Sequence, residues 1–280
     1  MELLVEPAWL EPRLSDPGIR VIDASWYLPA QRRDARAEYA AGHLPGAIFL
    51  DLSSDLADRS ARLRNTIAAP EALARTFAER GIGTAHHVVV YDRLGGYSAG
   101  RVWWSLRYAG HERASLLDGG FARWVAERRP VTSQLPELAR ATFAARPRPE
   151  LLRSKADVLR IVRDASARIV DARSAERFRG SGEEHTRHKG HIPGSRSLPW
   201  DANLAGDPPR FRPAAELRAA YERAGVRFDR PVVTSCGSGV TAALDAFALA
   251  LLGHQDVSLY DGSWAEWGDS DDVPIATGDE

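Results

Sequence analysis

The 280 residues include one cysteine, Cys236, in the run TSCGSGVTA at residues 234 to 242. A strand-like run, PVVTS, precedes it, and a largely apolar helical run, VTAALDAFALALLG, follows it to Gly253. The order strand, cysteine, glycine-containing loop, helix puts the sulfur at the carboxyl end of a parallel strand, where open α/β sheets keep their ligand sites. Gly237 and Gly239 can take backbone angles closed to other residues. The N–H groups of Gly237, Ser238, Gly239, Val240 and Thr241 can therefore turn inward as an anion-binding nest. The positive end of the following helix is aimed at the same point. Both features favour a thiolate, so the chemistry expected here is nucleophilic attack by Cys236 and a covalent intermediate. The competing reading is a buried cysteine that acts only as a small hydrophobe. A cysteine phosphatase or arsenate reductase also uses a nest, but a phosphatase grips its dianion with an arginine six residues after the cysteine. Ala242 occupies that position.

The elements that must hold this loop occur twice. VIDASW at 21 matches IVDARS at 169, and GHLPGA at 42 matches GHIPGS at 190, each 148 residues apart. VVVYD, ending at Asp92, matches VVTSC, ending at Cys236, and LLDGGFARW at 116 matches LYDGSWAEW at 259. Order is kept and the offsets drift only as loop lengths would make them, so one domain has been duplicated. Short β-rich runs alternate with helical patterns: strand 87–92, a helix near 98–109 and strand 115–118 in the first copy. In the second, Pro213 opens a helix that Gly225 closes. This alternation predicts an α/β fold with a parallel sheet flanked by helices in each copy. The domains are expected at 1–136 and 153–280, joined by a linker at 137–152 that carries proline and arginine without periodicity. The first copy has Asp92 and a longer loop, RLGGYSAG, with no sulfur. That internal comparison favours a functional Cys236 over an inert one.

Composition narrows the partners. With 44% hydrophobic and 27% charged residues the chain reads as a soluble globular protein, and a formal net charge of -1 offers no basic excess for nucleic acid. No run approaches the roughly 18 apolar residues of a membrane span, and the opening MELLVEPAWLEPRL lacks a signal peptide's pattern, so a cytoplasmic location is expected. A single cysteine forms no intrachain disulfide.

The motifs GHLPGAIFLDL, GHIPGSRSLPW, CGSGVTA and YDGSWAEWG, in this order over nearly the whole chain, resemble the tandem-domain rhodanese-like sulfurtransferases. The resemblance implies two tandem rhodanese-like domains, a silent first one and an active second one. The expected activity moves sulfur from a small anionic donor through a Cys236 persulfide to a thiol acceptor such as thioredoxin, or to cyanide, with no metal or organic cofactor. Members that use thiosulfate tend to carry C-R-K-G in the loop, whereas those that use 3-mercaptopyruvate carry C-G-S-G, the letters present here. The expected donor is 3-mercaptopyruvate, with thiosulfate the alternative. A non-catalytic persulfide carrier or redox-sensing module is the alternative from another class. By the same resemblance Arg177 binds the donor carboxylate, and Arg187, in the shortened segment GSGEEHTRHKG, is the second substrate arginine with Arg179 its competitor. Some members are described with a base relay whose histidine would fall where Asn65 stands, which puts that relay in doubt here.

Other polar residues read differently. His43, His191, Asp23 and Asp171 recur in both copies and are expected to brace turns and strand ends. Ser238 can bond the substrate or simply form the turn, and Thr241 is expected to cap the following helix.

Overall fold

The computed structural model describes residues 2–279. Two compact units emerge. The first comprises residues up to Arg59 with Ile67–Arg148 and Gly206–Phe211; the second comprises Pro149–Ala205 and Arg212 onward, together with Ser60–Thr66. Residues 137–148, expected as linker, belong to the first unit. Ala141 N donates to Ala78 O at 2.9 Å, and Arg148 N donates to Tyr108 O at 3.0 Å. An extended segment satisfies its backbone this way without any hydropathy period to reveal it.

In the first unit β1 (Leu4–Val5), β2 (Ile19–Asp23), β3 (Ile48–Phe49), β4 (His87–Tyr91) and β5 (Ala114–Leu117) form one sheet in the order β1-β5-β4-β2-β3. Every pairing is parallel. The second unit repeats the pattern with β6 (Leu152–Arg153), β7 (Arg168–Asp171), β8 (Arg196–Ser197), β9 (Val232–Ser235) and β10 (Val257–Tyr260), in the order β6-β10-β9-β7-β8 and again all parallel. The inner strands are runs of β-branched and apolar residues, as strands covered on both faces must be. His87–Tyr91 is buried at every position, and so is Val232–Ser235.

Adjacent strands β7 and β9 run in register, Ser235 opposite Asp171. After β7 the chain moves outward to β8, and after β9 it moves the other way to β10. The loops leaving β7 and β9 therefore open at the topological switch point, the usual ligand crevice of such sheets. Beneath it Ile169 and Val233 pack with Ile192, Tyr260, Trp264 and Trp267, each contributing about 1.5–3 kcal/mol by burial. The helix Ala242–Leu251 is buried throughout Ala242–Leu249, which explains its apolar composition and gives the cysteine loop a fixed base.

The paired histidines close turns in both copies. His43 Nδ1 lies 2.8 Å from Tyr39 O and its ring stacks on Tyr39; His191 Nδ1 lies 2.9 Å from Phe178 O and its ring stacks on Phe178. Asp23 and Asp171 accept hydrogen bonds from Ser25 N and Arg173 N at the ends of their strands. Among the described residues no helix is long and apolar enough to cross a membrane.

Candidate active site

Cys236 is the first residue beyond β9 and is buried. Three bonds fasten its loop to the segment after β10. Cys236 N donates to Ser263 Oγ at 3.1 Å, Trp264 N donates to Cys236 O at 2.9 Å, and Ala265 N donates to Gly237 O at 2.9 Å. Gly239 turns the loop with a φ of 76°, a conformation that costs glycine little. Among the described residues the N–H groups of Gly237, Ser238, Val240 and Thr241 have no hydrogen-bond partner within the protein. Several such amides on one short loop beside a buried sulfur can together bind an anion.

The first copy shows the same device filled. Asp92 stands where Cys236 does, and its carboxylate accepts from Leu94 N and Gly96 N through Oδ1, both at 2.8 Å, and from Ser98 N and Ala99 N through Oδ2, at 2.7 and 2.8 Å. The backbone clamp is also repeated, Phe121 N donating to Asp92 O at 2.9 Å. The loop between this strand and its helix thus binds negative charge in one copy through its own side chain. In the other copy a cysteine stands at that point and the amides stay open.

The two hydroxyls of the loop differ. Thr241 occupies the N-cap of the helix but makes no side-chain capping bond; its φ of -74° and ψ of -23° already belong to the helix, so the hydroxyl does not swing back over the first turn. Ser238 is half-buried and its hydroxyl has no partner among the described residues.

Ser263 is a site residue that the sequence reading missed. It takes a left-handed φ of 48°, rare outside glycine, and its counterpart in the first copy is Gly120 with φ 53°. The strain is held by two bonds, from Cys236 N to Ser263 Oγ and from Ser263 Oγ to Tyr260 O at 2.8 Å. Ser263→Ala is expected to leave the Cys236 amide without its partner. Stability should fall by about 1–2 kcal/mol and kcat more than KM, as urea unfolding and steady-state kinetics would read. An unchanged kcat would remove Ser263 from the site.

Charge reaches the loop from the segment after β7. Arg177, in the short helix Ala175–Arg179, packs its guanidinium on Gly237. A Cβ placed on that glycine would stand 3.1 Å from Arg177 Nη2, so a larger residue at 237 would push the arginine away. Glu184, buried, accepts from Arg177 Nε and Nη2, each at 2.9 Å, and from Arg173 Nη1 at 2.7 Å. Arg173 is itself buried, bonded to both oxygens of Asp171 and to Gly190 O, with its guanidinium 4.4 Å from the centre of the Trp264 ring. Burial works to lower the Arg173 pKa, but the Asp171 and Glu184 carboxylates outweigh it and hold the group above its ordinary value. Arg173 and Glu184 were also not foreseen.

Arg187 is elsewhere. Its side chain is largely exposed and pairs with Asp271, with no bond to the cysteine loop among the described residues. Arg179 likewise pairs with Asp279 at the surface. Of the three candidate arginines the structure brings only Arg177 against the cysteine loop. Asn65 adopts a left-handed φ of 62°.

The family model for the rhodanese-like domain matches residues 6–127 and again 154–270. A 3-mercaptopyruvate sulfurtransferase of Escherichia coli (strain K12) is 38% identical over 270 residues, covering 95% of each chain. Thiosulfate/3-mercaptopyruvate sulfurtransferase 2 of Arabidopsis thaliana is 36% identical over 297 residues, covering 98% of this chain and 86% of its own. A crystal structure from Escherichia coli, described under the 3-mercaptopyruvate sulfotransferases, superposes with a TM-score of 0.86 at 37% identity and covers 94% of this chain and 99% of its own. The chain belongs to the rhodanese-like domain family, with two copies in tandem, and is a sulfurtransferase.

Proposed function

We propose that the enzyme takes the sulfur of 3-mercaptopyruvate onto Cys236 and passes it to a thiol or to cyanide. The observation that carries this reading is the set of open loop amides beside Cys236, against the carboxylate-filled loop of the first copy. The Cys236 thiolate attacks the thiol sulfur of the donor. The S–S bond forms as the C–S bond breaks, its electron pair passes into the pyruvate enolate, and the proton of the donor thiol ends on the new methyl carbon. The outer sulfur is left as a persulfide anion, and the amides of residues 237 to 241 hold it. Arg177 receives the donor carboxylate through the N–H groups that Glu184 leaves free, and Ser238 donates toward the keto oxygen where charge builds. An acceptor thiolate then attacks the outer sulfur and returns Cys236 as thiolate, a double displacement. The cycle needs Cys236 reduced, the condition of a cytoplasm, where thioredoxin is a suitable acceptor.

Gly237 and Ser238 bring no cation to the loop, which supports a donor with one carboxylate over the thiosulfate dianion. Paired steady-state assays with 3-mercaptopyruvate and thiosulfate, cyanide as acceptor, test the donor. A preference for thiosulfate of about tenfold in kcat/KM, or about 1.4 kcal/mol, would overturn it. Arg177→Ala is expected to raise KM for 3-mercaptopyruvate about tenfold with little change in kcat, the signature of binding energy used equally in ground and transition states. An equal fall in kcat would instead place Arg177 on the leaving enolate.

A further inference from the structure

Glu184 is the least expected group near the loop. It lies in an irregular segment, its side chain is 3% exposed, and each of its oxygens is engaged by a guanidinium. Four ionised groups form one chain: Asp171, Arg173, Glu184 and Arg177. Two are positive and two negative, so the cluster that borders Cys236 carries no net charge. Arg177 also meets Glu184 side-on, giving Nε and one hydrogen of Nη2 to the carboxylate. What remains for a ligand is Nη1 and the other hydrogen of Nη2, enough for one carboxylate. These are also the two nitrogens nearest Gly237, at 3.1 and 3.5 Å from the place its Cβ would take.

We propose that Glu184 is a positioning residue that sets donor specificity: by holding Arg177 side-on and cancelling its charge, it favours donors bearing a single carboxylate over compact dianions. The proposal rests on the sulfur-transfer reading of the same site. A dianion entering an uncharged cluster meets only the loop amides and half of one guanidinium, whereas a monocarboxylate uses that half fully. Field and donor count both act against the dianion.

The measurement is the ratio of kcat/KM for thiosulfate to that for 3-mercaptopyruvate, with cyanide as acceptor, in the full chain. Glu184→Gln removes the charge, and the ratio is expected to move toward thiosulfate by about tenfold. Glu184→Asp keeps the charge on a shorter stem and should move the ratio less than about threefold. A ratio that stays put in Glu184→Gln, or that shifts equally in both variants, overturns the proposal, since a merely structural role would depress both donors together. Should Glu184→Gln fail to fold, the unsubstituted enzyme decides. Acetate is then expected to inhibit competitively at several-fold lower concentration than sulfate, and equal or better inhibition by sulfate overturns the proposal. The donor reading itself is judged by the ratio in the unsubstituted enzyme, so the two can fail separately.

Discussion

Replacing Cys236 by serine is expected to lower sulfur transfer by about a thousandfold or more with either donor, equivalent to about 4 kcal/mol of transition-state stabilisation. Serine fits the same buried position and can keep the clamp from Cys236 N to Ser263 Oγ and from Trp264 N to Cys236 O. Its hydroxyl is not ionised near neutral pH and has no sulfur to extend, so no persulfide can form. Folding should change by only about 1 kcal/mol, the scale of a conservative substitution. The two readings separate cleanly when turnover and urea unfolding are measured on one preparation. Turnover remaining within about tenfold of the native enzyme would show that sulfur travels by another route.

The second large effect lies in the first copy. Asp92→Ala removes the acceptor of four backbone amides and one hydroxyl. Bonds to a charged acceptor are stronger than neutral ones, and buried donors left alone are costly, so a loss of about 3 kcal/mol in unfolding free energy is expected. Sulfate should recover part of this loss in the variant and little in the native chain, because it can occupy the vacated nest. A variant as stable as the native chain would mean that these amides do not bind negative charge strongly. The same inference at Cys236 would then lose its internal support.

Much of this was readable in the residues, and the reasons differ by feature. The nest follows from Gly237 and Gly239 between a β-branched run and an apolar helix, a local pattern with a local cause. The duplication follows from motif order, and the identical strand orders of the two sheets are its three-dimensional form. The difference between Gly120 and Ser263 is also visible when the copies are aligned, yet its meaning depends on a left-handed φ that no composition reports. Glu184 gave no signal. A buried carboxylate in an irregular segment has no period, and only the two arginines folded around it make its burial tolerable. Arg187 shows the complementary case: its place in a shortened loop is local, but its partner Asp271 lies 84 residues on, a contact the local pattern does not carry. Thr241 failed as a cap because its own dihedrals are already helical.

The central claim is that sulfur rests covalently on Cys236, held by the open amides of its loop. It is tested most directly by treating the native enzyme with one equivalent of 3-mercaptopyruvate in the absence of acceptor and measuring the mass of the peptide that contains Cys236. The expected result is a gain of one sulfur atom on that peptide, matched by pyruvate released and reversed by adding a thiol. Pyruvate released while Cys236 gains no sulfur would contradict the account.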